Sequence, residues 1–152
     1  MLERGFHCDR RGEESPEDDP VTPYRVPVFS EVGGLLSTRF VRGVIDRGAE
    51  ALGEPLTDLE KDALAFFESV AQRDEVRLEL RLAPGEASFI NNYEMLHART
   101  GFVDHDDPAK KRLLYRLWLM GDPPRPMKKE VHLYQNQSGR MGVDPQAGRG
   151  PR

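Results

Sequence analysis

The chain has 152 residues, 38% of them hydrophobic, with 14 glycines, which is the apolar content of one folded domain rather than of a disordered polypeptide. Its 22 basic and 26 acidic residues leave a net charge of −4 with the signs interspersed, which argues against a dedicated nucleic-acid binder. A single cysteine, Cys8, excludes an internal disulfide and fits a reducing compartment.

The opening stretch "MLERGFHCDRRGEE" lacks the apolar core of a signal peptide, and no run approaches the length of a membrane span. A soluble, cytoplasmic protein is the resulting expectation. Residues 10–25, "RRGEESPEDDPVTPYR", are charged and proline-rich and read as a long surface loop. "VPVFS" at 26–30 reads as an edge strand, because Pro27 cannot donate to a ladder.

Gly33-Gly34 is expected to turn the chain into a first helix over about residues 37–51, capped by Ser37 or Thr38, with Phe40, Val41, Val44 and Ile45 on one face. A second helix starts at "TDLE", where Thr57 and Glu60 have the spacing of a capping box. Leu59, Ala63, Phe66, Phe67 and Val70 recur at helical spacing to about residue 72.

The period then changes. "VRLELRL" (76–82) alternates strictly, Val76, Leu78, Leu80 and Leu82 against Arg77, Glu79 and Arg81, as a half-buried strand does. Pro84-Gly85 makes a turn, and "ASFIN" (87–91) reads as the next strand. Residues 97–103 read as a short strand, "DHDDPAK" as a polar loop, and "RLLYRLWLM" (112–120) as the last strand. "PPRP" and a glycine-rich end make 122–152 an extended or irregular tail. Two helices followed by several strands predict an α+β arrangement, mainly β with flanking helices, in a single domain.

Chemistry concentrates in two places. In the last strand Arg112, Leu114, Arg116 and Trp118 share one face, and Leu113, Tyr115, Leu117 and Leu119 share the other. The two arginines lie about 13 Å apart along an extended strand, suited to carboxylate groups that a guanidinium grips bidentately, or to a solvated face. In "INNYEMLHARTGF" (90–102), His97 is open to three readings: core histidine, general base or metal ligand.

The combined stretch "PGEASFINNYEMLHARTGFVDHDDPAKKRLLYRLWL" resembles the C-terminal half of the TauD/TfdA family of Fe(II)/2-oxoglutarate dioxygenases. That family's pattern runs P-G-D-x-x-F-x-N-N, then L-H-x-R-T-x-F, then R-x-x-x-R-L-W-L. "DRRGE" (9–13), "PVFSEVGG" (27–34) and "PLTDLEKDAL" (55–64) carry weaker likeness, so it covers nearly the whole chain. The resemblance implies a distorted double-stranded β-helix, or jelly roll, here incomplete. It implies Fe(II) as cofactor and 2-oxoglutarate as cosubstrate, with His97 the second histidine of a 2-His-1-carboxylate triad. Arg112 would hold the distal carboxylate of 2-oxoglutarate, Arg116 would lie close to it, and Asn91 and Asn92 would support the turn. The implied reaction couples decarboxylation of 2-oxoglutarate to succinate with oxidation of a C–H bond of a small-molecule substrate.

The family's other two ligands come from an upstream H-x-D motif. The one literal match, His7-Cys8-Asp9, stands only 88 residues before His97, and "DRRGE" resembles a segment downstream of that motif. His7 and Asp9 are therefore read as the start of a polar loop rather than as the ligands, and the chain is expected to correspond to the C-terminal portion of a family member, catalytically incomplete as given. His105, His132 and the Asp104/Asp106/Asp107 cluster carry no motif. Two functions stay open: an oxidoreductase in truncated form, or a non-catalytic remnant jelly roll binding a small anion or a partner. An exposed sheet edge would favour homo-oligomers; neither nucleic acid nor membrane is expected as a partner.

Overall fold

The computed structural model describes residues 1–11, 14, 18–117, 119 and 123–131. The expected tail from residue 122, His132 included, thus lies largely outside the described residues, as do Trp118 and Met120 of the expected last strand. In chain order the described residues form β1 (Phe29–Val32), β2 (Leu35–Thr38), α1 (Arg42–Ala51) and α2 (Asp58–Ala71), then two single 3₁₀ turns at Pro108–Lys110 and Lys129–Val131.

The body is built on the segment around Phe6. Phe6 and Val26 exchange backbone hydrogen bonds at 3.0 and 2.8 Å, and Asp9 bridges antiparallel to Val21. Both ends of the 10–25 loop are thereby tied down, with Arg10 and Thr22 buried. Phe6, Cys8, Val26, Val28, Val44, Ile45 and Leu64 make one apolar core. Phe67 of α2 joins the hairpin and the entrance of α1 to it, with its ring edge-on to Phe29 at 5.3 Å and to Phe40 at 4.8 Å.

β1 and β2 pair antiparallel, with Ser30 opposite Ser37 and Val32 opposite Leu35. Gly33 and Gly34 sit at φ +60 and +76, the two positive values that a tight two-residue hairpin loop requires. The expectation of a helix beginning at Ser37 is thus corrected: Leu35–Thr38 is the return strand of a hairpin. α1 starts at Arg42 behind Val41, which supplies no side-chain cap. Val44 and Ile45 face the core as expected, whereas Val41 is exposed.

α2 has its capping box. Thr57 Oγ1 accepts from the Glu60 amide, and Glu60 Oε2 accepts from the Thr57 amide at 2.9 Å. Glu60 also receives Arg4 at 2.6 Å, and the helix is rotated so that Glu60, Leu64 and Phe67 face the body. That rotation leaves Leu59 and Phe66 exposed, so the buried face is offset from the expected one by about one position.

The second half departs further. Among the described residues the sheet has two strands, β1 and β2, and none of 76–82, 87–91, 97–103 or 112–117 is in a ladder. Leu80 is 72% exposed and Tyr115 88%, so the apolar faces that alternation marks are uncovered. The physical reason is a lack of partners: alternation specifies which face is to be buried, but pairing needs a neighbouring strand with open backbone groups. Ladder and burial are both missing together. The Pro84-Gly85 turn does form, with Gly85 at φ +88 and the Glu86 amide donating to Ala83 O at 3.1 Å.

Close approach requires glycine at Gly5, where a Cβ would lie 2.1 Å from the Val26 carbonyl oxygen, and at Gly48. A Cβ on Gly48 of α1 would lie 2.5 Å from the His7 carbonyl oxygen, whereas one on Gly43 would meet only the Arg47 side chain at 3.4 Å. Gly43→Ala should therefore raise stability by about 0.5–1 kcal/mol through helix propensity, and Gly48→Ala should lower it by about 1–3 kcal/mol through overpacking. Urea unfolding of both variants checks this; a Gly48→Ala chain as stable as its parent contradicts the packing of α1 on residues 7–9.

Candidate metal and cosubstrate site

His7-Cys8-Asp9, the literal H-x-D match, lies in the folded body. His7 Nδ1 donates to the Thr22 carbonyl at 2.8 Å, which leaves Nε2 as its acceptor nitrogen. Asp9 Oδ1 accepts from the Arg11 amide at 2.8 Å and Oδ2 pairs with Arg47 Nε. The Arg47 hydrogen bond, aided by the Arg11 amide, holds the Asp9 carboxyl below the ordinary carboxylate value despite some burial. Between them, burial pushes the Cys8 thiol up to about 11, which favours the neutral thiol at physiological pH. Both carboxylate oxygens of Asp9 are thus engaged, Oδ2 in fixing α1 to the segment at residues 7–9 and Oδ1 within the segment's own turn.

His97 is elsewhere. It follows a turn in which Asn91 O accepts from the Glu94 and Met95 amides at 3.1 and 3.0 Å, and Asn91 Oδ1 accepts from the Tyr93 amide at 3.2 Å. This is the support from Asn91 that the motif implied. Tyr93 O in turn accepts from the Thr38 amide at 2.8 Å, which attaches the turn to β2. Beyond it the chain is extended and the imidazole of His97 is exposed.

Arg112 meets the segment that follows His97 at Phe102. The Arg112 guanidinium lies 5.7 Å from the Phe102 ring centroid and that of Arg99 lies 4.8 Å from it. Two cations thus converge on one ring, bringing the arginine segment against the segment that His97 begins. Phe102 and Arg99 were given no role in the sequence, although both occupy fixed positions of the L-H-x-R-T-x-F pattern. Arg116 is exposed on the same extended segment as Arg112.

The intervening loop is organised locally. His105 Nδ1 accepts from the Asp107 amide at 2.9 Å, and Asp107 Oδ1 accepts from the Ala109 amide at 3.0 Å. No group of three or more His, Cys, Asp or Glu side chains among the described residues could hold a metal ion. The described residues therefore do not by themselves fit iron in a three-ligand facial arrangement. The Arg112 guanidinium does have the chemistry to grip a carboxylate.

A protein-family model described as "Taurine catabolism dioxygenase TauD, TfdA family" matches residues 3–118. The chain is similar to FR-33289 synthase of Streptomyces rubellomurinus (strain ATCC 31215), 36% identical over 118 residues that make up 76% of this chain and 34% of that protein. It is also similar to uridine-5'-phosphate dioxygenase of a Streptomyces species, 34% identical over 101 residues, 66% of this chain and 36% of the relative. The chain spans about a third of the length of these curated relatives.

The Asp9 pairing has a pH consequence. A carboxyl whose folded pKa is lowered stabilises the fold above its unfolded value, and that contribution is lost as pH falls through the lowered one. Asp9→Asn should therefore be less stable than the parent near neutral pH, with the difference shrinking in acid below the ordinary carboxylate range. Urea melts over a pH series test it; a pH-independent difference would assign Asp9 a role other than its charge.

Proposed function

The chain belongs to the TauD/TfdA family, and on that premise we propose that it carries part of the active site of an Fe(II)/2-oxoglutarate-dependent dioxygenase, an oxidoreductase acting on a small molecule. His97 is the histidine it contributes to the iron. Arg112 is the arginine that holds the distal carboxylate of 2-oxoglutarate, and Arg116 lies on the same side toward cosubstrate or substrate. The extended segments from residue 76 onward are, on this reading, strands of a jelly roll that pair only in the assembled fold.

The observation that carries the reading is the convergence of Arg112 and Arg99 on Phe102, in the segment that His97 opens. A ring shared with a second cation restricts the Arg112 side chain, so less freedom is lost when it engages a dicarboxylate. Iron, when bound, supplies the oxygen chemistry. The residues of this chain orient the cosubstrate and provide one imidazole, and no further step is assigned to them. Asp9, with both carboxylate oxygens engaged by the Arg11 amide and Arg47, is left out of the ligand set, and the His7-Cys8-Asp9 motif with it. A reducing, cytoplasmic setting is consistent with Cys8 as a neutral buried thiol. No helix among the described residues is long and apolar enough to cross a membrane.

Titration of 2-oxoglutarate against Arg112→Ala and Arg116→Ala tests the cosubstrate assignment. Loss of a charged bidentate contact should weaken binding by about 10–100-fold for Arg112→Ala, and by less for Arg116→Ala. Equal losses, or a larger one for Arg116→Ala, contradict it.

Succinate formation with Fe(II), 2-oxoglutarate and oxygen separates an enzyme from a non-catalytic anion binder. The chain by itself should form none, because one imidazole cannot fix iron in a facial geometry. Robust succinate formation that disappears in the His7→Ala, Asp9→Ala double variant would make His7, Asp9 and His97 the triad and overturn the assignment.

A further inference from the structure

After the extended arginine-bearing segment, residues 123–131 return to the folded body, with Val131 buried. One side chain makes the return. Arg125 Nε donates to Ser37 Oγ at 2.9 Å, Nη2 donates to the Leu36 carbonyl at 2.8 Å, and Nη1 pairs with the Glu94 carboxylate. A guanidinium offers its donors in a fixed planar fork, so these bonds set the relative position of three segments at once. The segments are β2, residues 123–131, and the turn that leads to His97.

Its surroundings favour a fixed geometry. The Arg125 side chain is 17% exposed, against 49% for that of Glu94. Ser37 is buried, so removal of Arg125 takes a donor away from a hydroxyl that water reaches poorly. The turn is also held from the other side, where the Thr38 amide donates to Tyr93 O at 2.8 Å, one residue before Glu94. Asn91 closes the same turn from within, through the Glu94 and Met95 amides. With Tyr93 and Glu94 both fixed to β2, two residues, Met95 and Leu96, separate the anchored turn from His97.

We propose that Arg125 is a positioning residue for His97: by clamping Glu94 to β2 it sets where the imidazole-bearing segment leaves the folded body. The proposal rests on the reading of His97 as the metal-binding histidine, but the clamp itself is a property of this chain without metal. Arg125 touches neither His97 nor any ligand. It acts through Glu94 and the turn.

The test uses the whole chain labelled with ¹⁵N and with isotopes in histidine, the His97 imidazole signals being identified by their loss in His97→Ala. In Arg125→Gln, the His97 signals should shift and broaden. Exchange of the Thr38 amide should accelerate by at least about tenfold, as a locally opened bond does, while the Leu64 amide of α2 is unaffected. Arg125→Lys, which keeps a cation for Glu94 without the fork, should restore the His97 signals in part. Glu94→Gln should give the same change as Arg125→Gln to a lesser degree, and the double variant should do no more than the larger single change.

Unmoved His97 signals in a folded Arg125→Gln chain overturn the proposal. Should Arg125→Gln destabilise the whole body, so that Leu64 also exchanges faster, Glu94→Gln decides. His97 signals that move in that variant support the clamp, and signals that stay overturn it. Because no metal is added, a failure of the iron assignment would show in binding and succinate formation and leave this outcome untouched.

Discussion

A β-strand persists only where its backbone N–H and C=O groups meet those of a neighbour and its apolar face meets a second layer. That requirement divides this chain. Up to the end of α2 it is met: the Phe6 segment pairs with residues 21–26, β1 pairs with β2, and α1 and α2 cover the core around Val28, Ile45 and Leu64. From Val76 onward the alternation is as clear in the sequence, yet Leu78, Leu80, Phe89, Tyr115 and Leu117 are exposed. The proposed site residues all fall in this second region. The body anchors the entrance to the site, at Tyr93 and Glu94, without enclosing it.

What could be read from the residues follows the same division. The capping box at Thr57 and Glu60 was legible because its partners are three residues apart and need nothing else. The hairpin was missed although "VGGLL" carries its signal, a glycine pair between two apolar runs; the helical spacing after it was read too far upstream. The buried face of α2 is set by tertiary contacts, Leu64 and Phe67 in the core and Glu60 with Arg4 56 positions away, and no local pattern contains those. Strand alternation was read correctly as a pattern, but a pattern names a face and not a neighbour.

The site was legible unevenly for the same reason. His97, Arg112 and Arg116 were found through motif likeness, and the support of the turn by Asn91 was part of that likeness. The ring of Phe102 under Arg99 and Arg112 is a contact between segments, which spacing does not disclose. Arg125 was lost in an apparently irregular, proline-rich tail, although its guanidinium ties three segments together. His7-Cys8-Asp9 shows the opposite case. There a ligand-like spacing has its carboxylate held by Arg47 and the Arg11 amide, and its histidine by Thr22 O, in the service of packing α1.

Among the described residues the segment carrying His97 and Arg112 has the alternating sequence of strands without a ladder. Amide hydrogen exchange along the whole chain tests this most directly. The account predicts strong protection in α2 and at Phe6, Thr22 and Val26, with near-unprotected exchange through residues 78–82 and 112–117. Protection of Leu78, Leu80, Leu113 and Tyr115 comparable to that of Leu64 would contradict it, because those amides would then be paired in a sheet.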